Sequence, residues 1–444
     1  MSVLPNKEKT MPLERIRLSS NRHYLETESG KPFFWLGDTA WEIFHRLSLE
    51  ECETYLETRS RQGFNVIQAV VLAEFDGLRT PNFYGDLPLI NEDPLRPNEK
   101  YFKYVDKIIR LSAEKGIYVA LLPAWGDKVS KIWGTGPEIF NEKNIYKYGE
   151  WLGKRYRNDT NIIWCIGGDR PVVKDDKDYH GVWRALAEGI RKGLGKIKPV
   201  MTFHPCGGKC SSEWMNDEKW LDIHMMQSGH GSGSDVPVWN WIERDWNLKP
   251  VRPTLDGEPN YEDHPIIPWP EWIPEKGYYR DYDVRKQCYR SVFAGGCGVT
   301  YGHHSIWQFL SPRFEPRNHP DRDWTDAISR PGASQMIYLK KLMESRPYQT
   351  RIPDQKLIVN APAGKAEHIR ATRDSKGSYA MIYFPSYNKV SLKTKSLKGK
   401  SLRASWYNPR SGKSAEFAIF RNTGELSVTT PLDGPDWVLI LDVI

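Results

Sequence analysis

The feature that most constrains this chain is an alternation. Eight times between residues 32 and 345, an apolar run with strand character gives way to a stretch with helical spacing. The expected strands are Pro32–Ala40, Asn65–Phe75, Ile117–Trp125, Asn161–Asp169, Lys198–Pro205, Leu221–His230, Val251–Glu258 and Cys297–Trp307. The expected helices are Ser48–Gly63, Pro97–Lys115, Asn144–Tyr156, Gly181–Gly193, Ser212–Trp220, Pro237–Asn247, Asp283–Ala294 and Gly332–Ser345. Nearly continuous apolar runs suit parallel strands covered on both faces. Parallel neighbours need a crossover, and a helix supplies it. Eight such units favour a (β/α)8 TIM barrel over an open doubly wound sheet.

Local signals place the element ends. Ser48 followed by Glu51 is a capping box, and Gly63 and Gly116 sit where helices stop. After Pro347 the spacing changes to short alternating runs, such as Tyr379–Phe384 and Trp437–Val443, separated by turns like Arg410-Ser411-Gly412. These predict a small antiparallel β-sandwich. The expected division is a barrel over residues 14–347 and a β-domain over 353–444.

Composition narrows the function. The net charge is +7, from 63 basic and 56 acidic residues without a Lys/Arg block, which argues against nucleic acid as partner. No run reaches the ~18 apolar residues of a membrane span. Residues Met1–Thr10 lack the apolar stretch of a signal peptide. Cysteines 52, 165, 206, 210, 288 and 297 are scattered, and a reducing compartment, cytoplasmic, is the expectation. The 18 Trp and 22 Tyr serve cores and sugar faces alike.

Barrel chemistry sits at the carboxyl ends of the strands. Two carboxylates there are the minimum for cutting a glycosidic bond. Gly167-Gly168-Asp169-Arg170 closes the fourth strand and Asp256-Gly257-Glu258-Pro259 the seventh. Turns use the same residues, so the pair gains weight from its places in the count of eight. Asp169 suits a general acid if burial or a neighbouring carboxylate holds its proton, although Arg170 alone would work against that. Glu258 can reach an anomeric carbon, and Asp256 can orient its neighbours.

Other strand ends supply binding candidates, each with a plainer alternative. Asp38 can hold hydroxyls or cap a turn, and Trp41 can stack under a ring. Glu74 can bind hydroxyls or be merely solvated. Trp125 can be a sugar platform or core, with Asp127 beside it. His204, Gln227 and His230 are hydrogen-bonding groups after the fifth and sixth strands. His303 and His304 point to opposite sides of a strand, one of them toward the site, and Trp307 follows. His204, Cys206 and Cys210 superficially resemble a metal cluster, but no second pair follows at zinc spacing. No metal or other cofactor is expected. No G-x-S-x-G elbow is present, and Gly231-Ser232-Gly233-Ser234 lacks the lysine of a phosphate loop.

Phe34-Trp35-Leu36-Gly37-Asp38-Thr39-Ala40-Trp41, Gly63-Phe64-Asn65-Val66-Ile67-Gln68, Trp164-Cys165-Ile166-Gly167-Gly168-Asp169, Asp256-Gly257-Glu258-Pro259 and Tyr301-Gly302-His303-His304 together resemble glycoside hydrolase family 140, the apiosidases. The resemblance covers about residues 14–345, and a trailing β-domain is typical of that family. It implies a retaining hydrolase, with Asp169 matching the acid/base and Glu258 the nucleophile. The wider clan often has Asn-Glu at the acid position, so Gly168-Asp169 departs from it. The implied substrates are apiosides of the pectin rhamnogalacturonan II, or of plant glycosides. Within enzymes the competing expectation is a β-glucanase or β-mannanase with a long aromatic cleft. Outside them it is a non-catalytic carbohydrate-binding protein. The sequence leaves the oligomeric state open.

Overall fold

The computed structural model describes residues 12–444. The segment bearing on a leader peptide, residues 1–10, lies outside them. Eight parallel strands form the barrel: β1 (Trp35–Thr39), β2 (Val66–Leu72), β3 (Tyr118–Ala124), β4 (Ile162–Gly167), β5 (Met201–His204), β6 (His224–Gln227), β7 (Thr254–Asp256) and β8 (Gly298–Tyr301). Its helices are α1 (Leu49–Arg61), α2 (Glu99–Glu114), α3 (Glu142–Arg155), α4 (His180–Leu194), α5 (Ser212–Met215), α6 (Val238–Asn247), α7 (Asp281–Phe293) and α8 (Pro331–Glu344). The sheet runs β5-β4-β3-β2-β1-β8-β7-β6, and a parallel bridge between Thr202 and Ile223 joins its two ends. Among the described residues no helix is long and apolar enough to cross a membrane.

The residues explain the elements. Every position of β2 and β3 is buried, as strands covered on both faces require. Fully burying one such Val, Ile or Leu contributes roughly 1.5–3 kcal/mol. Ser48 and Glu51 form the expected capping box on α1, and Asn98 caps α2 through the Lys100 amide. A polar thread crosses the barrel interior. Trp35 Nε1 donates to Thr300 Oγ1 at 3.0 Å, Thr300 to Gln68 Oε1 at 2.7 Å, and Gln68 Nε2 to the Gly257 carbonyl at 3.0 Å. It ties β1, β8 and β2 to the backbone between Asp256 and Glu258.

All eight barrel strands are shorter than their apolar runs, and in two of them the remainder forms other structure. Pro32–Phe33 pairs instead with Leu25–Thr27 in a small sheet with Ile16–Leu18, and β1 starts only at Trp35. The run Cys297–Trp307 breaks after Tyr301, and His304–Trp307 is a helical turn capped by His303 Nδ1, which accepts from the Ser305 amide.

The C-terminal strands are β9 (Arg351–Pro353), β10 (Arg370–Asp374), β11 (Tyr379–Phe384), β12 (Lys389–Lys393), β13 (Ser401–Tyr407), β14 (Ser414–Arg421), β15 (Glu425–Thr429) and β16 (Trp437–Val443). Six form an antiparallel sheet, β9-β10-β11-β16-β13-β14, and β12 pairs with β15 as a second layer. This β-domain grips α7. Arg285 donates to both carboxylate oxygens of Asp436 at 2.8 and 2.9 Å, with both residues buried. Arg351 donates to the carbonyls of Val292 and Gly296 at 2.6 and 2.7 Å.

Candidate active site

The turn after β4 is unusual in its backbone. Gly167, Gly168 and Asp169 have φ of 90°, 134° and 55° in succession. At Gly168 a Cβ would sit 2.7 Å from the Gly126 nitrogen, so the close approach to the end of β3 demands glycine. A non-glycine residue in the left-handed region, as Asp169 is, carries strain of the kind found at functional sites. The turn puts the Asp169 side chain at the barrel mouth, 24% exposed. Its Oδ2 accepts from Trp133 Nε1 and from Arg170, each at 3.1 Å. Burial, and then the charge of Glu258, hold this carboxyl above the ordinary aspartate range against the pull of Arg170 and Trp133.

Glu258 follows β7 and sits between two imidazoles. His204 Nε2 lies 3.0 Å from its Oε2, and His230 Nε2 lies 3.2 Å from its Oε1. The Tyr261 amide donates to His230 Nδ1 at 3.4 Å, which leaves the hydrogen of a neutral ring on Nε2, facing the carboxylate. Burial alone would raise Glu258, but the two imidazoles at its oxygens, His204 and His230, outweigh it and hold the group well below the usual range. The two carboxyls are therefore pushed apart, one toward the acid form and one toward the anion.

Both line one cavity of about 710 Å³. Trp41 and Trp125, nearly buried, form its floor with ring centroids 5.3 Å apart. Glu74, Gln227, His230 and Trp307 also line it, as do Phe75, His264, Trp133, Trp269 and Arg317. Burial, and then the charges of Glu42, Asp169 and Asp127, raise Glu74 well above the ordinary glutamate value. Trp307 is fixed by Nε1 donating to His304 Nδ1 at 3.3 Å.

Five expected binding residues do not reach the cavity. Asp38 points outward from β1 to α1, where Arg59 Nε and Tyr55 Oη donate to it at 2.6 and 2.5 Å in a fully buried cluster. Asp127 faces inward to its own loop, pairing with Lys128 at 2.8 Å and accepting from the Gly136 amide at 2.8 Å. His204 is fully buried behind Glu258. Asp256 lies beneath the site, accepting from Ser228 Oγ at 2.6 Å and from the Glu258 amide at 3.3 Å. Burial raises its pKa to about 7. His303 packs against Asp263, Nε2 to Oδ2 at 3.1 Å, within a cluster that includes Arg280 and Arg330. Cys210 turns away from His204 and donates to Asp245 at 2.6 Å. Of the groups not anticipated, Tyr261 receives a hydrogen bond from Trp41 Nε1 at 3.1 Å, and His264 stacks on His230 with centroids 4.2 Å apart.

Residues 19–350 match the family described as "Apiosidase-like, catalytic domain", and residues 352–442 match the "Putative collagen-binding domain of a collagenase". A solved "Glycoside hydrolase" is 34% identical, with a TM-score of 0.87 over 97% of each chain. A glycoside hydrolase family 5 structure from Bacteroides vulgatus ATCC 8482 is 33% identical, with a TM-score of 0.87 over 97% of this chain and 93% of that one. A family 39 glycoside hydrolase from Bacteroides cellulosilyticus WH2 shares the fold at 9% identity, with a TM-score of 0.53 over 96% of this chain and 82% of that one. No curated protein matches the chain. The chain belongs to the apiosidase-like catalytic domain family and is a glycoside hydrolase.

Proposed function

We propose that this hydrolase is a retaining apiosidase, with Glu258 as nucleophile and Asp169 as acid/base. The observation that carries the reading is the opposite tuning of two carboxyls on one cavity, Glu258 downward and Asp169 upward. Pairs of titratable groups driven apart by their surroundings mark acid and nucleophile roles. In the first step a Glu258 oxygen bonds to the anomeric carbon. The bond to the glycosidic oxygen breaks as Asp169 gives that oxygen its proton. In the second, Asp169 takes a proton from water, whose oxygen displaces Glu258 and restores it as the anion.

Substrate class rests on the family and on the cavity. The Trp41–Trp125 floor suits the C–H face of one small sugar. Arg317 lines the same cavity, and among the described residues it has no carboxylate within salt-bridge distance. A guanidinium on the cavity wall, held over the Phe75 ring and without a carboxylate partner, suits a substrate bearing a carboxylate such as a uronic acid. This supports an apiosyl linkage of a rhamnogalacturonan II fragment. The β-domain, clamped on α7, braces the helix that follows the nucleophile strand. Release of apiose from an apiosyl-galacturonide, without release of sugar from β-glucan or β-mannan, is the expected result. Turnover of a glucan or mannan at comparable kcat/KM with no apiose released would contradict it.

A further inference from the structure

Trp133 is 57% exposed at the cavity rim, so core packing does not explain it. Its loop is tied down nonetheless. Asp127 accepts from the Gly136 amide, and the Arg170 guanidinium sits 4.6 Å from the Trp133 ring centroid. The indole N–H and Arg170 both donate to the same oxygen of Asp169, Oδ2. Among the described residues, Oδ1 accepts no hydrogen bond. A carboxyl whose one oxygen already receives two donors carries its proton on the other.

We propose that Trp133 is a positioning residue which, with Arg170, reserves Asp169 Oδ2 as an acceptor and leaves Oδ1 as the oxygen that gives and takes the catalytic proton. This rests on the acid/base assignment of Asp169. When the Oδ1–H bond breaks toward the glycosidic oxygen, its electron pair stays on the carboxylate, and the two donors on Oδ2 meet the growing charge. In the second half, Oδ1 receives the proton of the attacking water and the charge is lost. Besides Arg170, the titratable groups facing Asp169 are Glu74 after β2, His204 at the end of β5, Cys206 after it, and Glu258 after β7. All remain when only the indole N–H is removed.

The test is the pH profile of kcat/KM for Trp133→Phe, which keeps a ring against Arg170 but loses the donor, beside Trp133→Ala and Asp169→Asn. The substrate is an apioside with a poor leaving group. Losing a donor to the anion raises the acid's pKa, so the basic limb moves up by about half to one pH unit in both Trp133 variants. With an activated aryl apioside, kcat at neutral pH falls severalfold, because less of the residue is ionised to activate water. A Trp133→Phe profile that superimposes on the parent, with only KM changed, overturns the proposal and makes Trp133 a platform for the leaving group. A basic limb that persists in Asp169→Asn removes the acid/base assignment itself, and the proposal with it.

Discussion

His230 places Nε2 3.2 Å from Glu258 Oε1 while its Nδ1 accepts from the Tyr261 amide. One backbone N–H thus selects the tautomer that donates to the carboxylate. With His204 3.0 Å from the other oxygen, the pair keeps a buried glutamate ionised.

That arrangement fixes a pH dependence. A nucleophilic carboxylate works above its own pKa, so a depressed pKa places the acid limb of kcat/KM at low pH. Replacing His230 by Phe removes a donor to the anion, and replacing His204 removes the imidazole 3.0 Å from its other oxygen; each moves that limb up by about one pH unit. Rate measurements from pH ~3 to ~8 check this. An unmoved acid limb in both variants would mean that the imidazoles do not tune Glu258.

Asp38 and Arg59 form a fully buried ion pair, away from the cavity. Arg59→Ala would strand the carboxylate in the interior and cost about 3–5 kcal/mol of stability. Thermal or denaturant unfolding checks this, and KM of the folded enzyme should hardly change. A large rise in KM with unchanged stability would return Asp38 to the binding site.

Asp256 accepts from the Glu258 amide and Ser228, and burial raises its pKa to about 7. A carboxyl whose pKa is raised on folding stabilises fully below its unfolded pKa, about 4, and that contribution is lost as pH climbs toward the folded value. Asp256→Asn should flatten the fall in melting temperature between pH ~4 and ~7. It should also lower kcat more than it changes KM, because the clamp beneath Glu258 is altered. Parallel melting curves for parent and variant across that window would contradict the first expectation.

Two-carboxylate hydrolysis draws on no metal, and the Cys210 thiol is occupied by Asp245. Activity should survive exhaustive dialysis against a chelator. Loss of activity that a divalent ion restores would count against the mechanism.

The barrel and its two carboxylates were legible because strand runs, helix periodicity and strand-end acids are local signals. Asp169, Glu258, Trp41 and Glu74 each follow directly from a strand end. Asp38 was misplaced because its partner Arg59 lies 21 residues on, and the pairing exists only after α1 folds onto β1. His303 was misplaced because β8 stops at Tyr301 and a helical turn resets the alternation that put one histidine toward the site. Trp133, Trp269 and Arg317 sit on long loops with no period to follow, and only the tertiary fold brings them to the cavity rim.

The proposed retaining mechanism requires a covalent intermediate on Glu258. Asp169→Asn, mixed with an activated aryl apioside and quenched within one turnover, tests it by intact mass and peptide mapping. The first step needs little acid assistance with such a leaving group, and the second lacks its base, so the intermediate should accumulate. The expected result is one pentosyl group on the peptide containing Glu258, absent in the Glu258→Gln variant. Stoichiometric aryl release with no adduct, or an adduct on another residue, would show that Glu258 is not the nucleophile.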